Sequence, residues 1–490
     1  MMGKQPRPQN SLFYVGLDID NRVRKNHPLR KVDELIDFDF AYSKVKDCYG
    51  NNGNVSVPPP IILKLMLLLI FYNVRSEREL MDTLPERMDW LWFLGYDLDT
   101  EVPNHSVLSK ARKRWGAEVF QNFFERIVLQ CVEAGLVDGR KIFVDSSLVD
   151  VDASNNSIVD TRKLKHQLRK TYKKLESRLE DISEANSSSG SSIKTNDRYM
   201  STTDPDAAIV NRGKAKLTYQ VHRAVDGQSE IITATDATPG DVNEAHLMLP
   251  LFEKHCTVTG MKAETVVADS KYGTIENFLA CHDKGIQAHI SDLRASALKK
   301  TAKREIFSEA HFLYNPDTDT YCCPEGNLLK PKSLHKCRQS WDYAASRKVC
   351  AACRLREQCT KNKYARTIKR HLRQDVIDMM REASRSAKSK RDLKTRQHLM
   401  ERSFARATRY GFDRARWRGL WRIRIQEYLT CAIQNIQVLI RKTVKPKKSV
   451  EARAFAANTT SIKTLFLLAS VVNTLSLIYR GQSEYSFQRT

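Results

Sequence analysis

What is scarce in this sequence narrows the field first. No apolar run reaches the roughly 20 residues that a membrane-spanning helix needs. One, Ile61–Val74 (IILKLMLLLIFYNV), is broken by Lys64 and reads as a buried core helix. A second, Thr464–Tyr479, contains Ser470, Asn473, Thr474 and Ser476, which fits a docking helix or interaction tail better than a membrane anchor. The opening residues, MMGKQPRPQNS, are polar and lack the apolar stretch of a secretory leader. The eleven cysteines are odd in number and mostly scattered, which argues for a reducing compartment. No internal repeat is evident, and the hydrophobic share of 41% excludes a chain disordered throughout.

Acidic charge is also in deficit. The 57 Asp and Glu face 81 Lys and Arg, for a net charge of +24. Such an excess points to a polyanionic partner, most often nucleic acid. The excess is localised: Lys361–Val450 holds 26 Lys and Arg against 7 Asp and Glu. A basic surface confined to one region fits a phosphate backbone better than general solubility does.

The 490 residues suggest two or three domains. Residues 1–135 read as a helical, DNA-binding domain. Ser76-Glu-Arg-Glu79 is a capping-box pattern. PNHSVLSKARKRWG (Pro103–Gly116) places Ser106 as an N-cap of a basic helix with Lys110, Arg112, Lys113 and Arg114 along it. A compact helical unit ending so suits a helix-turn-helix reader of DNA, and equally a plain surface helix.

Residues 136–304 change to strands: KIFVDSSLV from Lys141, AKLTYQVHRAVD from Ala215, SEIITATDA from Ser229, ETVVADSKY from Glu264 and QAHISDL from Gln287, with a helix over Val242–His255. That order gives a mixed α/β sheet. Within it, residues 155–201 form a charged helix and a Ser-rich arm. Residues 305–362 form a cysteine-rich insertion. Residues 363–445 carry the basic surplus, and 446–490 are a tail.

Two acids end apolar strands, Asp145 after KIFV and Asp269 after TVVA. Phosphoryl transfer on DNA uses two divalent cations about 4 Å apart. Hard cations such as Mg²⁺ or Mn²⁺ take carboxylate oxygens, and a rigid sheet can hold two carboxylates on neighbouring strands. Spacing alone does not separate Asp145 from Asp150 and Asp152, and strand-end aspartates often merely cap loops.

NHPLRKVDELIDFDF, PPPIILKLMLLLIFYNVRSERELMD and PNHSVLSKARKRWG, then VDSSLVDVDAS, TDPDA, LTYQVHRAVD, VVADSKYG and LMERSFARATRYGFDRARWRGLWRIRIQEYLTCAIQNIQVLIRK, occur in this order. Together they resemble bacterial insertion-sequence transposases of the DDE type, whose catalytic domain is ribonuclease H-like. The resemblance runs from about Asn26 to Lys442. It implies Asp145, Asp269 and Glu401 as catalytic, metal-binding acids, with Tyr272 beside the second. It implies cut-and-paste DNA transposition: cleavage at the element ends, then attack of the freed 3′-hydroxyl on target DNA. The family's usual arginine four residues before the glutamate and lysine seven after it are here Gln397 and Thr408. Arg396, Arg406 and Arg409 stand nearby as replacement phosphate contacts.

Arg414, Arg416 and Arg418 alternate with Ala415, Trp417 and Gly419, which periodicity reads as strand and the resemblance as a loop into the next helix. Arg416 and Arg418 suit phosphates and Trp417 suits stacking on an unpaired base, although Trp417 and Trp421 fit a protein core equally well. In the insertion, Cys350-x-x-Cys353 is a zinc half-site that Cys323 and Cys359 would complete, alongside Cys322 and Cys337. Structural zinc and unliganded thiols are both consistent with one clean half-site.

The expectation is therefore an α/β protein: a ribonuclease H-like mixed sheet flanked by helices, a helical N-terminal domain and a cysteine-containing insertion. It would act on the terminal inverted repeats of the element and on target DNA as a homodimer, in the bacterial cytoplasm at the nucleoid, without a small-molecule substrate or membrane. The rivals are a catalytically silent DNA-binding derivative, a metal-dependent nuclease without strand transfer, and a membrane-surface protein.

Overall fold

The Pro59–Phe71 helix is the hub of the N-terminal region. It starts on two prolines, whose fixed φ and missing N–H suit a first helical turn, and twelve of its thirteen residues are buried. Lys64 is buried with them because its ammonium is fully engaged, 2.7 Å from Asp33 and 2.8 Å from the Phe93 carbonyl. Around it pack helices Pro28–Leu35, Phe40–Val45, Glu77–Thr83, Met88–Leu94, Ser106–Trp115 and Glu118–Glu133. Ser76 caps Glu77–Thr83 as expected, accepting from the Glu79 N–H at 3.0 Å. Ser106 is not a cap: it is the first residue of its helix, and Asn104 Oδ1 accepts its N–H at 2.9 Å.

The computed structural model describes residues 1–4, 18–50, 53–161, 195–291 and 306–443. Most of the expected charged helix and Ser-rich arm, and the tail with its apolar stretch, lie outside these residues. No described helix is long and apolar enough to cross a membrane.

The strands, in chain order, are β1 (Lys141–Asp150), β2 (Ile158–Asp160), β3 (Tyr199–Ser201), β4 (Ala208–Arg212), β5 (Lys214–Asp226), β6 (Ile232–Pro239), β7 (Thr265–Ala268) and β8 (Gln287–Ile290). The main sheet runs β4–β5–β1–β7–β8, with β6 also on β5. β1, β4, β5 and β6 join antiparallel, while β7 and β8 run parallel to β1. This is the mixed α/β sheet expected, with β4 and the β2–β3 ribbon as additions. One face, with Ile142, Val144 and Val266, packs under helices Met248–Thr259 and Ile275–Asp283. The other, with Phe143, Val225 and Val267, shares one apolar cluster with the N-terminal helices and with helices Ala387–Thr408 and Leu420–Thr443.

The Leu420–Thr443 helix is set by acids from the TDPDA segment. Asp204 accepts from the Gly419 N–H at 3.1 Å and Asp206 from the Leu420 N–H at 3.0 Å. The preceding arginine-rich stretch is a loop, touching β1 through a single bridge between Asp150 and Arg414. The helix is locked to the sheet by a fully buried ion pair. Arg223 on β5 grips Glu427 in two places, at 2.6 and 2.9 Å. Thr235 and Cys431 add donors to Glu427, and Arg223 reaches the Ser403 carbonyl at 3.3 Å.

The cysteine-rich region is itself a sheet: β9 (Leu313–Asn315), β10 (Thr320–Cys322), β11 (Leu328–His335), β12 (Ser340–Ala344) and β13 (Thr367–His371), each antiparallel to the next. Phe312, Tyr321, Leu329, Tyr343 and Ile368 form its small core.

Candidate active site

Asp145 does not end its strand; β1 continues five residues further. What ends there is its neighbour. β7 pairs with β1 only at Lys141–Phe143, with Phe143 opposite Val267. Two residues on from that last pair are Asp145, still on β1, and Asp269, just past the end of β7, close enough for their charges to act on one another. The apolar runs before them are thus the buried part of the ladder, and the acids sit where it opens.

Burial pushes the Asp145 carboxyl above the usual range. The Arg396 guanidinium, 2.7 Å away, opposes this, while the carboxylates of Asp269 and Glu244 reinforce it. Asp145 Oδ1 also accepts the Ser146 N–H, and Asp269 Oδ1 the Lys271 N–H, both at 2.9 Å. Tyr272 is buried beside them, and burial together with the charges of Glu244, Asp145 and Asp269 holds its hydroxyl well above the normal tyrosine range.

Glu401 lies on the Ala387–Thr408 helix, exposed, accepting from Gln397 Nε2 at 3.1 Å. The same helix sends Arg396 to Asp145. A cleft of about 380 Å³ opens between this helix and the Asp269 turn, lined by Asp269, Ser270, Ser291, Lys390, Lys394 and Arg396 among others. Glu401 is not in that lining. Among the described residues no three His, Cys, Asp or Glu side chains stand close enough to hold a metal ion as placed.

The basic residues divide into two sets. Lys110, Arg114 and Arg409 are exposed; Arg406 pairs with Glu230 at 2.7 Å, and Arg418 donates to the Asp152 carbonyl at 2.9 Å. Arg112, Arg416 and Trp417 have a different place from the DNA-facing one expected. Arg112 is 3% exposed, paired with Glu77 and stacked 4.1 Å from the Trp417 ring centre. Trp417 donates to Glu77 at 3.2 Å, and Arg416 is bound to Asn73 and the Val74 carbonyl. These three join the N-terminal helices to the loop before Leu420. The signal was in the sequence: Leu108, Ala111, Arg112 and Trp115 share one helical face.

Cys323, Cys350, Cys353 and Cys359 line one small pocket beside Phe312 and Leu329. Burial raises the Cys359 thiol, with the other three sulfurs acting in the same direction once Arg366 is offset. Cys337 is exposed and Cys322 donates to the Cys323 carbonyl at 3.6 Å.

Two family models match the chain: a transposase domain (DUF772) over residues 17–114 and a transposase DDE domain over residues 322–440. The two matches support an insertion-sequence DDE transposase. The first covers the helical N-terminal region of the chain, the second the cysteine-bearing sheet and the Glu401 helix. No curated protein sequence matches. A solved structure, a piggyBac transposase synaptic complex with hairpin DNA, aligns over 89% of this chain and 85% of its own at 8% identity. The TM-score of that alignment is 0.26.

Sequence reasoning missed Glu244. It is 6% exposed, accepts from Ser146 Oγ and from Gln220 Nε2 at 3.1 Å, and pairs with Lys271 at 2.5 Å. It lies in the Glu244–Leu247 turn, inside the segment expected as one helix from Val242, whereas the helix itself starts at Met248. Lys390 and Lys394 were also missed, as two members of a long basic run.

Proposed function

We propose that this transposase cleaves DNA at the ends of an insertion sequence and joins the freed ends to target DNA, using Asp145, Asp269 and Glu401. The observation that carries this reading is the end of the β1–β7 ladder, past which Asp145 and Asp269 follow within electrostatic reach of one another beside a basic cleft. The mixed sheet with helices on both faces supports a ribonuclease H-like catalytic domain.

The donor set fits a divalent cation. It is all carboxylate oxygen, as Mg²⁺ or Mn²⁺ prefers, and the mutual repulsion of Asp145, Asp269 and Glu244 is what a bound cation relieves. Asp145, Asp269 and Glu401 would hold it. When bound, such ions supply an activated oxygen nucleophile and stabilise the leaving oxygen. The chain's own part is positioning. Lys390, Lys394 and Arg396 line the cleft and hold a phosphodiester against the acids, while Ser270 and Ser291 offer hydroxyls on the opposite wall. Lys110, Arg114, Arg406, Arg409 and Arg418 extend phosphate contacts outward. A homodimer would bring two DNA ends together. Cys323, Cys350, Cys353 and Cys359 would take a structural Zn²⁺, supported by their shared pocket. The protein would work in the cytoplasm.

The test is Mg²⁺-dependent cleavage and joining of DNA carrying the native element ends. Wild type should give joined products. Asp145→Ala, Asp269→Ala and Glu401→Ala should each lose them while still binding DNA. Cleavage without joining would make the protein a nuclease; activity surviving one variant would remove that acid from the set.

A further inference from the structure

We infer that Glu244 is a positioning residue that ties the two aspartate-bearing segments to each other and so sets the spacing of Asp145 and Asp269. The inference rests on the reading of those two aspartates as the acidic pair. Its ground is a repeated pattern of contacts. Ser146 donates its backbone N–H to Asp145 Oδ1 at 2.9 Å and its hydroxyl to Glu244 Oε2. Lys271 donates its backbone N–H to Asp269 Oδ1 at 2.9 Å and its ammonium to Glu244 Oε1 at 2.5 Å. Each aspartate is therefore oriented by a backbone N–H whose own residue is held, through its side chain, by one oxygen of the same glutamate.

Glu244 has little capacity left to act as a ligand itself. Gln220 Nε2 is a third donor, at 3.1 Å, on Oε2, and a carboxylate has about four lone-pair sites. The carboxylate is 6% exposed, so these donors, not water, stabilise its charge. Its turn is fixed independently. Asn277 Nδ2 donates to the Ala245 carbonyl at 3.0 Å and to the Tyr272 carbonyl at 2.9 Å, so one amide joins the Glu244 turn to the Asp269 turn through the backbone. Substituting Glu244 thus leaves the two turns joined and removes only the carboxylate's ties. Gln at this position keeps the shape but has one oxygen for two groups of donors, so its NH₂ faces either Lys271 or Ser146 and Gln220.

The experiment measures Mn²⁺ binding to the full-length protein from the electron paramagnetic resonance signal of free Mn²⁺, alongside DNA affinity by fluorescence anisotropy and the thermal midpoint. Glu244→Gln should weaken Mn²⁺ binding about 10–100-fold, the range for residues that orient metal ligands, with DNA affinity and midpoint held. Lys271→Met, a change at a half-exposed side chain that keeps the fold even should Glu244→Gln unfold, should weaken Mn²⁺ binding in the same direction, and Lys271→Arg should restore it. Mn²⁺ binding unchanged in Glu244→Gln or in Lys271→Met, with Asp145→Asn weakening it, would overturn the positioning role alone. Mn²⁺ binding unchanged in Asp145→Asn as well would overturn the acidic pair on which the role rests.

Discussion

A fully buried carboxylate, Glu427, and a partly buried one, Asp145, each face an arginine, and they end up on opposite sides of the usual carboxylate range. Burial raises Glu427, but Arg223 grips both its oxygens and Thr235 and Cys431 add donors, so its pKa is lowered. Burial raises Asp145 too; Arg396 makes one contact, and Asp269 and Glu244 add like charge, so its pKa stays raised. The desolvation is common to both. What differs is whether the neighbours answer the charge or repeat it. Glu427 is neutralised in place and holds a helix. Asp145 keeps an unmet demand for positive charge, which is what a site for cations and phosphates requires.

The comparison can be broken at either end. The largest effect is expected from Asp145→Asn, which should lower cleavage of element-end DNA by on the order of 10³-fold, as loss of a key electrostatic group in an active site does, while leaving the denaturant midpoint unchanged or raised. A clear drop in midpoint would mean that Asp145 is structural, like Glu427. Next is Arg223→Met, which leaves Glu427 charged and alone; unfolding in urea should show a loss of about 3–5 kcal/mol. Joining it with Glu427→Met should recover much of that loss.

A third variant probes the residue between the two systems. His222 immediately precedes Arg223 on β5 and lies opposite Ser146; it is fully buried, and burial lowers its pKa to about 4. The unfolded chain, near 6.5, binds a proton that the fold refuses. The resulting stability is present above pH 6.5 and is lost as pH falls toward 4, by roughly 2–3 kcal/mol. His222→Gln should flatten that part of the curve in urea titrations from pH 7 to 4; an unchanged slope would assign it to other groups. The smallest effects separate the two kinds of basic residue. Lys110→Ala should weaken DNA binding by less than about tenfold and reduce the salt slope by about one. Arg112→Ala should instead lower the thermal midpoint and leave the salt slope alone.

Much of this architecture is legible in the sequence because alternation and helical spacing record local burial. KIFV and TVVA announce a buried ladder, and the strand order from Lys141 to Ile290 follows from period and turns. Other features depend on distant partners. Glu244 is an acid in a turn until folding sets Ser146, Gln220 and Lys271 around it. Arg112 looks like a surface cation because charge was weighed above its place on the Leu108–Trp115 face. The β9–β13 sheet went unforeseen because its strands are short and its core is five residues, so cysteine spacing dominated the reading. Ser106 is the first residue of its helix because the cap position falls on His105, with Asn104 Oδ1 accepting the Ser106 N–H.

The apolar cluster that joins Leu29 and Leu65 to Ile433 and Leu439 also sets an order of events during synthesis. A chain leaves the ribosome from its N-terminus at about 5–20 residues per second. Both aspartates therefore emerge while the last part of the core is still missing. The helix that fills the gap, Leu420–Thr443, follows the Ala387–Thr408 helix that carries Glu401, with residues 409–419 between them. Closure of the core thus comes after all three proposed acids have emerged, and a chain cut short before that helix would carry Asp145, Asp269 and Glu401 on an unfinished scaffold.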